Sequence, residues 1–324
     1  MPVLVRVFSL LLLLVVPACA REEKEPLRLG TLLWPGSEPL FLARDLGLLD
    51  EREVRLVEYS SLTEVNRDFR NGVIDAVNVS LDMALLYEQS GFKPHVVLVL
   101  DASHGADALV ARPELRTLAD LRGRRVAVED LAVSTYVLGR ALEEAGLEPS
   151  DVEILRIPVD EHVRAYLAGE VDAVVTFEPF VSTLVEAGAT RLFDSTELPG
   201  EVLDVLVVRE DRLDAHRAQL EHLTAGWFQA LHYLEAHPDE ALARMGPRLQ
   251  VTPTALASAL ESIRLLSLQE NLQLLREPSS SSSLATSARQ LERFMLEYGL
   301  LHGPARPESL PDASILEKVQ EGPP

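Results

Sequence analysis

One short phrase occurs twice in this chain and constrains its fold more than any other feature. It reads "NGVIDAV" from Asn71 and "AGEVDAV" from Ala168. Each copy follows a stretch with helical spacing of apolar residues and leads into a short polar stretch. The phrase therefore predicts a helix end, a buried strand and a loop beyond the carboxyl end of that strand. Two copies predict two lobes of one architecture, with a chance similarity between two ordinary helix–strand turns as the alternative.

Alternating strands and helices surround each copy. The first unit is predicted as strands "LRLGTLLW", "EVRLVEY" and "VIDAVNV", separated by helices "EPLFLARDLGLL" and "SLTEVNRDFRNG". The second is predicted as a strand ending at Glu129, a helix "STYVLGRALEEAGL" capped by Ser134, a strand "VEILRIP", a helix "VDEHVRAYLAGE" and a strand "VDAVVTF". This alternation predicts parallel sheets with helices packed on their faces.

A second echo lies on either side of the second unit. "DALVARPE" begins at Asp107 and "DVLVVRED" begins at Asp204. Two similar extended segments that flank an inserted lobe predict a two-segment hinge, which the chain crosses once in each direction. Beyond Leu213 the spacing is helical, including one helix over "TPTALASALESIRLL", and "PSSSSS" predicts a surface loop.

Length and charge narrow the possible functions. A chain of 324 residues exceeds one small core and allows about two domains. The formal net charge is −21, and no basic stripe interrupts the excess of Asp and Glu, which argues against a nucleic-acid partner. The eight histidines lack the spacing of a metal site, so we expect neither a metal nor a cofactor.

The N-terminus has the pattern of a targeting segment. The apolar run "VFSLLLLLVV" is too short to span a bilayer but fits the core of a signal peptide over residues 1–18. The single cysteine, Cys19, follows in "VPAC", which resembles a lipobox except for Pro17. Acylation of Cys19, followed by a charged tether over residues 19–26, would hold the protein at a membrane. An incidental cysteine in the leader of a plainly secreted protein is the alternative.

The chain resembles the solute-binding proteins of ABC importers in the alkanesulfonate, taurine, nitrate and thiamine-pyrimidine group. The resemblance rests on "WPGSEPLFLARDLGLL", "FRNGVIDAVNVSLDMALL", "VVLVLDASHGADALVARPELRTLADLRGRRVAVE", "AGEVDAVVTFEPF" and "LPGEVLDVLVVRED". These stretches follow in order between about Leu27 and Leu300. The group takes very different solutes, so the resemblance does not identify the ligand.

The resemblance implies an α/β, two-lobed type II periplasmic-binding-protein fold. Its lobes are joined by a two-segment hinge and close on a ligand in the cleft, and a helical C-terminal region follows. The first lobe would occupy residues 27–109, the second 110–204, and the return with the C-terminal helices 205–302, before a tail over 303–324. The general rule agrees, because ligands of open parallel sheets sit beyond the carboxyl ends of the strands.

The loops beyond the predicted strand ends supply candidate ligand contacts. They are Trp34, Gly36, Ser37, Glu38, Ser80, Asp82, Asp101, Glu129, Ser134, Thr135, Tyr136, Thr176, Glu178 and Asp204. Ser103 and His104 lie in the same loops. Phe177 and Glu178 would point to opposite faces of a continuing strand, so only one of them would reach the cleft.

Several candidates have structural alternatives. Trp34 could pack in the core, and Ser134 could serve only as an N-cap, although a helix N-terminus also offers N–H groups to an anion or a carbonyl. Glu38 and Asp82 could be first-turn acids that favour the helix dipole. Asp101 could accept a hydrogen bond that stabilises the hinge.

The candidate loops contain six carboxylates and no Arg or Lys. Burying uncompensated carboxylates beside an anion is costly. We therefore expect a ligand with a cationic or hydrogen-bond-donating part, such as a zwitterion or a nitrogen heterocycle stacked on Trp34. This expectation departs from the most familiar ligands of the group.

The resemblance implies the solute-binding component of an ABC importer. Such a protein, expected as a monomer, captures a small organic solute in the periplasm or at the outer face of a bacterial membrane and presents it to permease and ATPase subunits. A sensor protein that feeds a membrane signalling receptor would have the same cleft. A thiamine-pyrimidine synthase is disfavoured, because that enzyme uses a lysine and a cysteine-rich stretch, whereas lysine occurs here only at Lys24, Lys93 and Lys318.

Overall fold

The computed structural model describes residues 25–129, 132–277 and 279–321. The predicted signal peptide, Cys19 and most of the predicted tether lie outside these residues. The strands are β1 Leu27–Thr31, β2 Val54–Glu58, β3 Ala76–Ser80, β4 Pro94–Ser103, β5 Asp107–Ala111, β6 Arg125–Val128, β7 Glu153–Arg156, β8 Ala173–Phe177, β9 Thr190–Asp194, β10 Leu203–Arg209 and β11 Ile263–Leu265. The helices are α1 Glu38–Asp45, α2 Leu62–Arg70, α3 Leu81–Gln89, α4 Ala132–Ala145, α5 Val159–Leu167, α6 Phe180–Glu186, α7 Glu210–Leu213, α8 Arg217–Ala236, α9 Pro238–Leu249, α10 Pro253–Glu261, α11 Leu268–Arg276, α12 Leu284–Glu297 and α13 Ser314–Glu321.

The strands form two mixed sheets with the same plan. The first sheet has the order β2-β1-β3-β10-β4-β11 and the second has the order β7-β6-β8-β5-β9. In each sheet the first three strands are parallel, and the next two run antiparallel to their neighbours. Aligning the two orders makes β3 equivalent to β8 and β10 equivalent to β5. This is the predicted α/β architecture of two similar lobes, followed by helices at the C-terminal end.

The repeated phrase builds the same hydrogen-bonded corner in each sheet. Asp75 accepts hydrogen bonds from the backbone amide (3.0 Å) and the Nε (2.9 Å) of Arg28, on the neighbouring strand β1. Asp172 accepts the same pair from Arg125 on β6, at 3.0 and 3.1 Å. In both corners the arginine also donates from Nη2 to the carbonyl of the glycine in the phrase. The phrase therefore ties the start of the third strand to the first strand of each unit.

The chain passes between the two sheets twice, over residues 104–106 and 195–202. These two crossings make up the two-segment hinge that the sequence predicts. The echoing segments form β5 and β10, each of which begins directly after a crossing. The predicted lobe boundaries, after residues 109 and 204, fall inside these two strands.

Two of the predicted helices differ from the structure. The helix predicted over "TPTALASALESIRLL" ends at Glu261, and the residues after it form β11 on the edge of β4. The free hydrogen-bonding edge of β4 and the β-branched Ile263 favour a strand there. Helix α4 begins at Ala132, so Ser134 lies buried inside the first turn and does not cap the helix.

The core of each lobe lies between its sheet and the helices packed against it. In the first lobe the residues from Val96 to Leu100 on β4 and from Val205 to Val208 on β10 are fully buried. Such continuous apolar runs are typical of strands covered on both faces. Helix α12 packs against both α3 of the first lobe and α4 of the second, so the C-terminal region spans the two lobes.

Candidate functional site

A cavity of about 110 Å³ lies between the two lobes. Strand ends and loops of both lobes contribute to its walls, as the rule for ligand sites in parallel sheets leads us to expect. The lining is mainly apolar, with two aromatic rings, two carboxylates, one amide and two hydroxyls. The lining residues are Leu32, Leu33, Trp34, Ser37, Leu62, Asn78, Val79, Ser80, Asp107, Val133, Phe177, Val202 and Asp204.

Part of the predicted ligand-contact set lies in this lining, namely Trp34, Ser37, Ser80 and Asp204. These side chains come from the loop after β1, the end of β3 and the start of β10. Phe177, at the end of β8, also reaches the cavity. Glu178 turns away from it, because its carboxylate accepts hydrogen bonds from the backbone amide (3.1 Å) and the hydroxyl (3.0 Å) of Ser182.

Trp34 is held in place by Asp101 and faces an aromatic ring of the other lobe. Its Nε1 donates a hydrogen bond to Asp101 Oδ2 at 3.0 Å. Gly36 leaves room for this contact, because a Cβ at Gly36 would lie 2.1 Å from Asp101 Oδ2 and 2.4 Å from Trp34 Nε1. The indole ring meets Phe177 edge-on, with ring centroids 5.8 Å apart and planes at 78°. The two rings thus join the lobes across one side of the cavity.

Four aspartates cluster around this cavity: Asp82, Asp101 and Asp107 are buried, and Asp204 is half-buried. Asp204 on β10 stands opposite Ser80 on β3 and opposite Asp101 on β4. Burial raises the pKa of Asp101 to about 7 and the pKa of Asp107 to about 6. Burial, together with repulsion from the other three carboxylates, raises the pKa of Asp204 well above its usual value. Among the described residues no Arg, Lys or His lines the cavity, so this charge has no counter-ion there.

Asp107 is a cavity residue that the sequence analysis missed. It occupies on β5 the place that Asp204 occupies on β10, since each follows a crossing and each pairs with the last residue of a repeated strand. Asp204 pairs with Ser80 at the end of β3, and Asp107 pairs with Phe177 at the end of β8. The sequence did contain a signal for Asp107, because the echo between "DALVARPE" and "DVLVVRED" aligns it with Asp204.

Asn78 is a second polar cavity residue that the sequence analysis missed. It lies on β3 and is 5% exposed. Its Nδ2 donates to Ser37 Oγ at 2.5 Å, while its Oδ1 has no hydrogen-bond partner in the described part of the chain. A buried acceptor left without a donor costs about 1–3 kcal/mol. Nothing in the sequence separates this asparagine from an ordinary strand residue.

The remaining candidates lie outside the cavity lining: Glu38, Asp82, Glu129, Ser134, Thr135, Tyr136 and Thr176. Glu38 is fully buried and pairs with Arg248, whose Nε lies 2.9 Å from Glu38 Oε1. Burial raises the pKa of Glu38, and Arg248 opposes that rise. The pair links α1 to α9.

The candidates at the start of α4 have partners within the protein. Thr135 Oγ1 accepts a hydrogen bond from Arg156 Nη1 at 2.9 Å. The hydroxyl of Tyr136 donates to Glu201 in the second crossing and accepts from Arg140 Nη1. Ser134 and Thr176 are buried, and the backbone carbonyl of Glu129 accepts from the same arginine that holds Thr135.

The two crossings of the hinge are bonded to each other. Ser103 Oγ and Ser195 Oγ lie 2.7 Å apart, and the amide of Gly105 donates to Ser195 Oγ at 2.7 Å. Ser103 Oγ also accepts from the amide of Asp107 at 3.1 Å. His104 is exposed beside them. Ser103 therefore joins the two crossings of the hinge, and it also contacts Asp107, which lines the cavity.

Two absences hold for the described residues, 25–129, 132–277 and 279–321. No group of three or more His, Cys, Asp or Glu side chains in them could hold a metal ion. No helix in them combines the length and the apolar character needed to cross a membrane.

Comparisons with known proteins point to one family. The sequence pattern of the NMT1-like family matches residues 20–245 of this chain. The taurine-binding periplasmic protein of Escherichia coli is 24% identical over 186 residues, which covers 56% of this chain and 58% of that protein. A putative binding protein of Brucella abortus is 23% identical over 308 residues and covers 90% of this chain and 92% of its own length.

A solved structure shares the fold. The periplasmic aliphatic sulphonate-binding protein SsuA from Escherichia coli matches with a TM-score of 0.75 at 20% identity, over 89% of this chain and 92% of that one. The two lobes of this chain therefore have a fold that has been determined experimentally for another protein.

Proposed function

Because the chain belongs to the NMT1-like family, we propose that it is the solute-binding component of an ABC importer and captures a small organic solute between its two lobes. The observation that carries the proposal is the shared cavity, whose walls include Trp34 and Asp204 of the first lobe and Asp107 and Phe177 of the second. A ligand that contacts both lobes stabilises the closed form relative to the open one. The names of the relatives, a taurine-binding protein and an aliphatic sulphonate-binding protein, support the same role.

The importer role implies partners and a location. Permease and ATPase subunits would receive the ligand-loaded form, and the protein would act in the periplasm or at the outer face of a membrane. Cys19, if acylated after removal of residues 1–18, would anchor it there. The intact mass of the mature protein from cells tests the anchor, since a diacylglyceryl group adds a fixed mass to Cys19 and an unmodified or absent Cys19 contradicts it.

A sensor that passes its closed form to a signalling receptor is the alternative binding function. An enzymatic role is disfavoured by the placement of the lysines. Lys93 lies at the surface, with its Nζ 2.8 Å from Glu210 Oε2, and Lys318 lies on α13. No lysine of the described residues lines the cavity. A pyridoxal-phosphate enzyme of this fold would need one there.

Thermal unfolding of the protein from Arg21 onward tests the proposed capture. The panel contains alkylammonium ions, amino acids, polyamines, nitrogen heterocycles, nitrate, taurine and alkanesulfonates. A ligand at about 100 times its Kd stabilises the folded state by about 2.7 kcal/mol, which raises the unfolding midpoint visibly. At least one class should do so. If no class raises the midpoint, the chain does not capture a small solute of these kinds.

A further inference from the structure

The charge of the cavity is opposite to what a sulfonate requires. Resting on the proposed capture function, we infer that the ligand is a small organic cation, held between the carboxylates of Asp107 and Asp204 with its apolar part against Trp34 and Phe177. The two carboxylates come from opposite lobes and from equivalent strands, β5 and β10. A single cationic group between them would therefore contact both lobes at once.

The electrostatics of closure favour a cation. Asp107 and Asp204 line the cavity, and Asp82 and Asp101 are buried next to it. Closing the lobes without a ligand brings like charges together in a poorly solvated space, which opposes closure. A cation between Asp107 and Asp204 turns this repulsion into attraction, so ligand binding and closure become coupled.

An independent observation is the unpartnered amide oxygen of Asn78. This side chain lines the cavity, is 5% exposed, and leaves Oδ1 without a donor among the described residues. Its Nδ2 donates to Ser37 Oγ, so Oδ1 is the polar atom of this amide that is left for a ligand. This oxygen can accept a hydrogen bond from a ligand. An ammonium or a protonated heterocycle supplies the donor, and a sulfonate does not.

The helix N-termini that would suit an anion already face a carboxylate. Helix α3 begins at the end of β3, and helix α4 begins at Ala132, next to the cavity-lining Val133. Asp82 lies close to the backbone amides of Met83 and Val133, in the first turns of these two helices. An anion placed at the same N–H groups would meet the charge of Asp82.

The aromatic pair and the volume limit the rest of the ligand. The rings of Trp34 and Phe177 carry negative faces that attract cations within about 6 Å of the ring centre. The cavity measures about 110 Å³, which is smaller than the dry cavity of about 150 Å³ that holds one benzene molecule. We therefore expect a compact ammonium or a small protonated heterocycle.

Charge-matched ligands test this inference on the unmodified protein. n-Alkylammonium ions with two to six carbons are compared with alkanesulfonates and primary alcohols of the same chain lengths, by thermal unfolding and by isothermal titration. The ammonium series should bind, with the short members favoured, and the other two series should not. Binding by sulfonates or alcohols alone overturns the inference but leaves the proposed capture function standing.

Substitutions then locate the cation. Asp107→Asn and Asp204→Asn keep the size of the side chain and should each weaken the binding of the best ammonium ion about tenfold to a hundredfold, the range for a lost hydrogen bond to a charged group. Asp214→Asn makes the same change at a side chain that is 91% exposed and should leave binding unchanged. Unaltered affinity in both cavity variants, with their unfolding still cooperative, overturns the inference.

Discussion

At the scale of single residues, the buried aspartates should make stability and binding respond to pH in opposite ways. Burial raises the pKa of Asp107 from 3.8 to about 6, and the neighbouring Asp82, Asp101 and Asp204 shift in the same direction. A group whose pKa is raised by folding stabilises the protein below its unfolded-state pKa, and that contribution is lost as pH rises through the folded-state value.

Two measurements follow at pH 5 and pH 8. The free energy of unfolding of the ligand-free protein is measured in urea for Asp107→Asn and for wild type. The value for the variant minus the value for wild type should be larger at pH 8 than at pH 5 by about 1 kcal/mol or more. The affinity for the best ammonium ion should rise about tenfold over the same interval, because a carboxyl group of pKa about 6 becomes ionised there. The assignment of Asp107 would be contradicted if neither quantity changed with pH, that is, if the stability difference between variant and wild type and the affinity for the ammonium ion were each the same at pH 5 and pH 8.

Some residues of the cavity could be predicted from the sequence, and others could not. Trp34 and Asp204 were predictable as cavity residues, because they lie at the carboxyl end of one strand and at a crossing between lobes. Asn78 was not, since it lies within β3 and nothing in the sequence distinguishes it from a residue that packs in the strand. Glu38 was predicted as a ligand contact on the same grounds as Trp34. Its partner is Arg248, which lies 210 residues away in the sequence, so no local pattern indicates the pair.

At the scale of elements, the repeated phrase should contribute unequally to stability in the two lobes. Asp75→Asn removes the carboxylate from a corner where that side chain is 1% exposed and Arg28 is 31% exposed, and breaking such a largely buried pair costs roughly 3 kcal/mol. Asp172→Asn removes it from a corner where the side chain is 19% exposed, and the expected cost is about 1 kcal/mol. Urea unfolding measures both, with Asp214→Asn as the control. Equal losses would mean that burial does not set the strength of the corner.

The elements themselves were largely predictable, because apolar strands and capped helices follow local patterns. The repeated phrase identified β3 and β8, and the echo identified β5 and β10. The exceptions include β9 and α6, for which the sequence analysis gives no prediction, and β11. Residues Ile263–Leu265 of β11 continue a helical pattern and become a strand because β4 offers a free edge. Its partner lies far away in sequence, so no local pattern could reveal it.

At the scale of the whole molecule, closure should depend on the contact between α4 and α12. A Cβ at Gly139 would lie 2.5 Å from two ring carbons of Phe294, so Gly139→Ala should hold the lobes apart. Overpacking of this kind costs about 1–3 kcal/mol, which predicts at least fivefold weaker ligand binding. Small-angle scattering should show compaction of wild type with the best ammonium ion and less compaction of the variant.

The control for this wedge is Gly303→Ala, where the nearest atom to an added Cβ lies 4.0 Å away. This variant should bind and compact like wild type. Equal compaction in Gly139→Ala and wild type would mean that the contact between α4 and α12 does not change when the ligand binds.

A crystal structure of the protein with the best ammonium ion shows whether one cation bridges the two lobes. The expected result places the nitrogen within hydrogen-bond distance of both Asp107 and Asp204, with the alkyl chain against Trp34 and Phe177. A ligand bound to one lobe only, or a nitrogen directed away from both carboxylates, would contradict it.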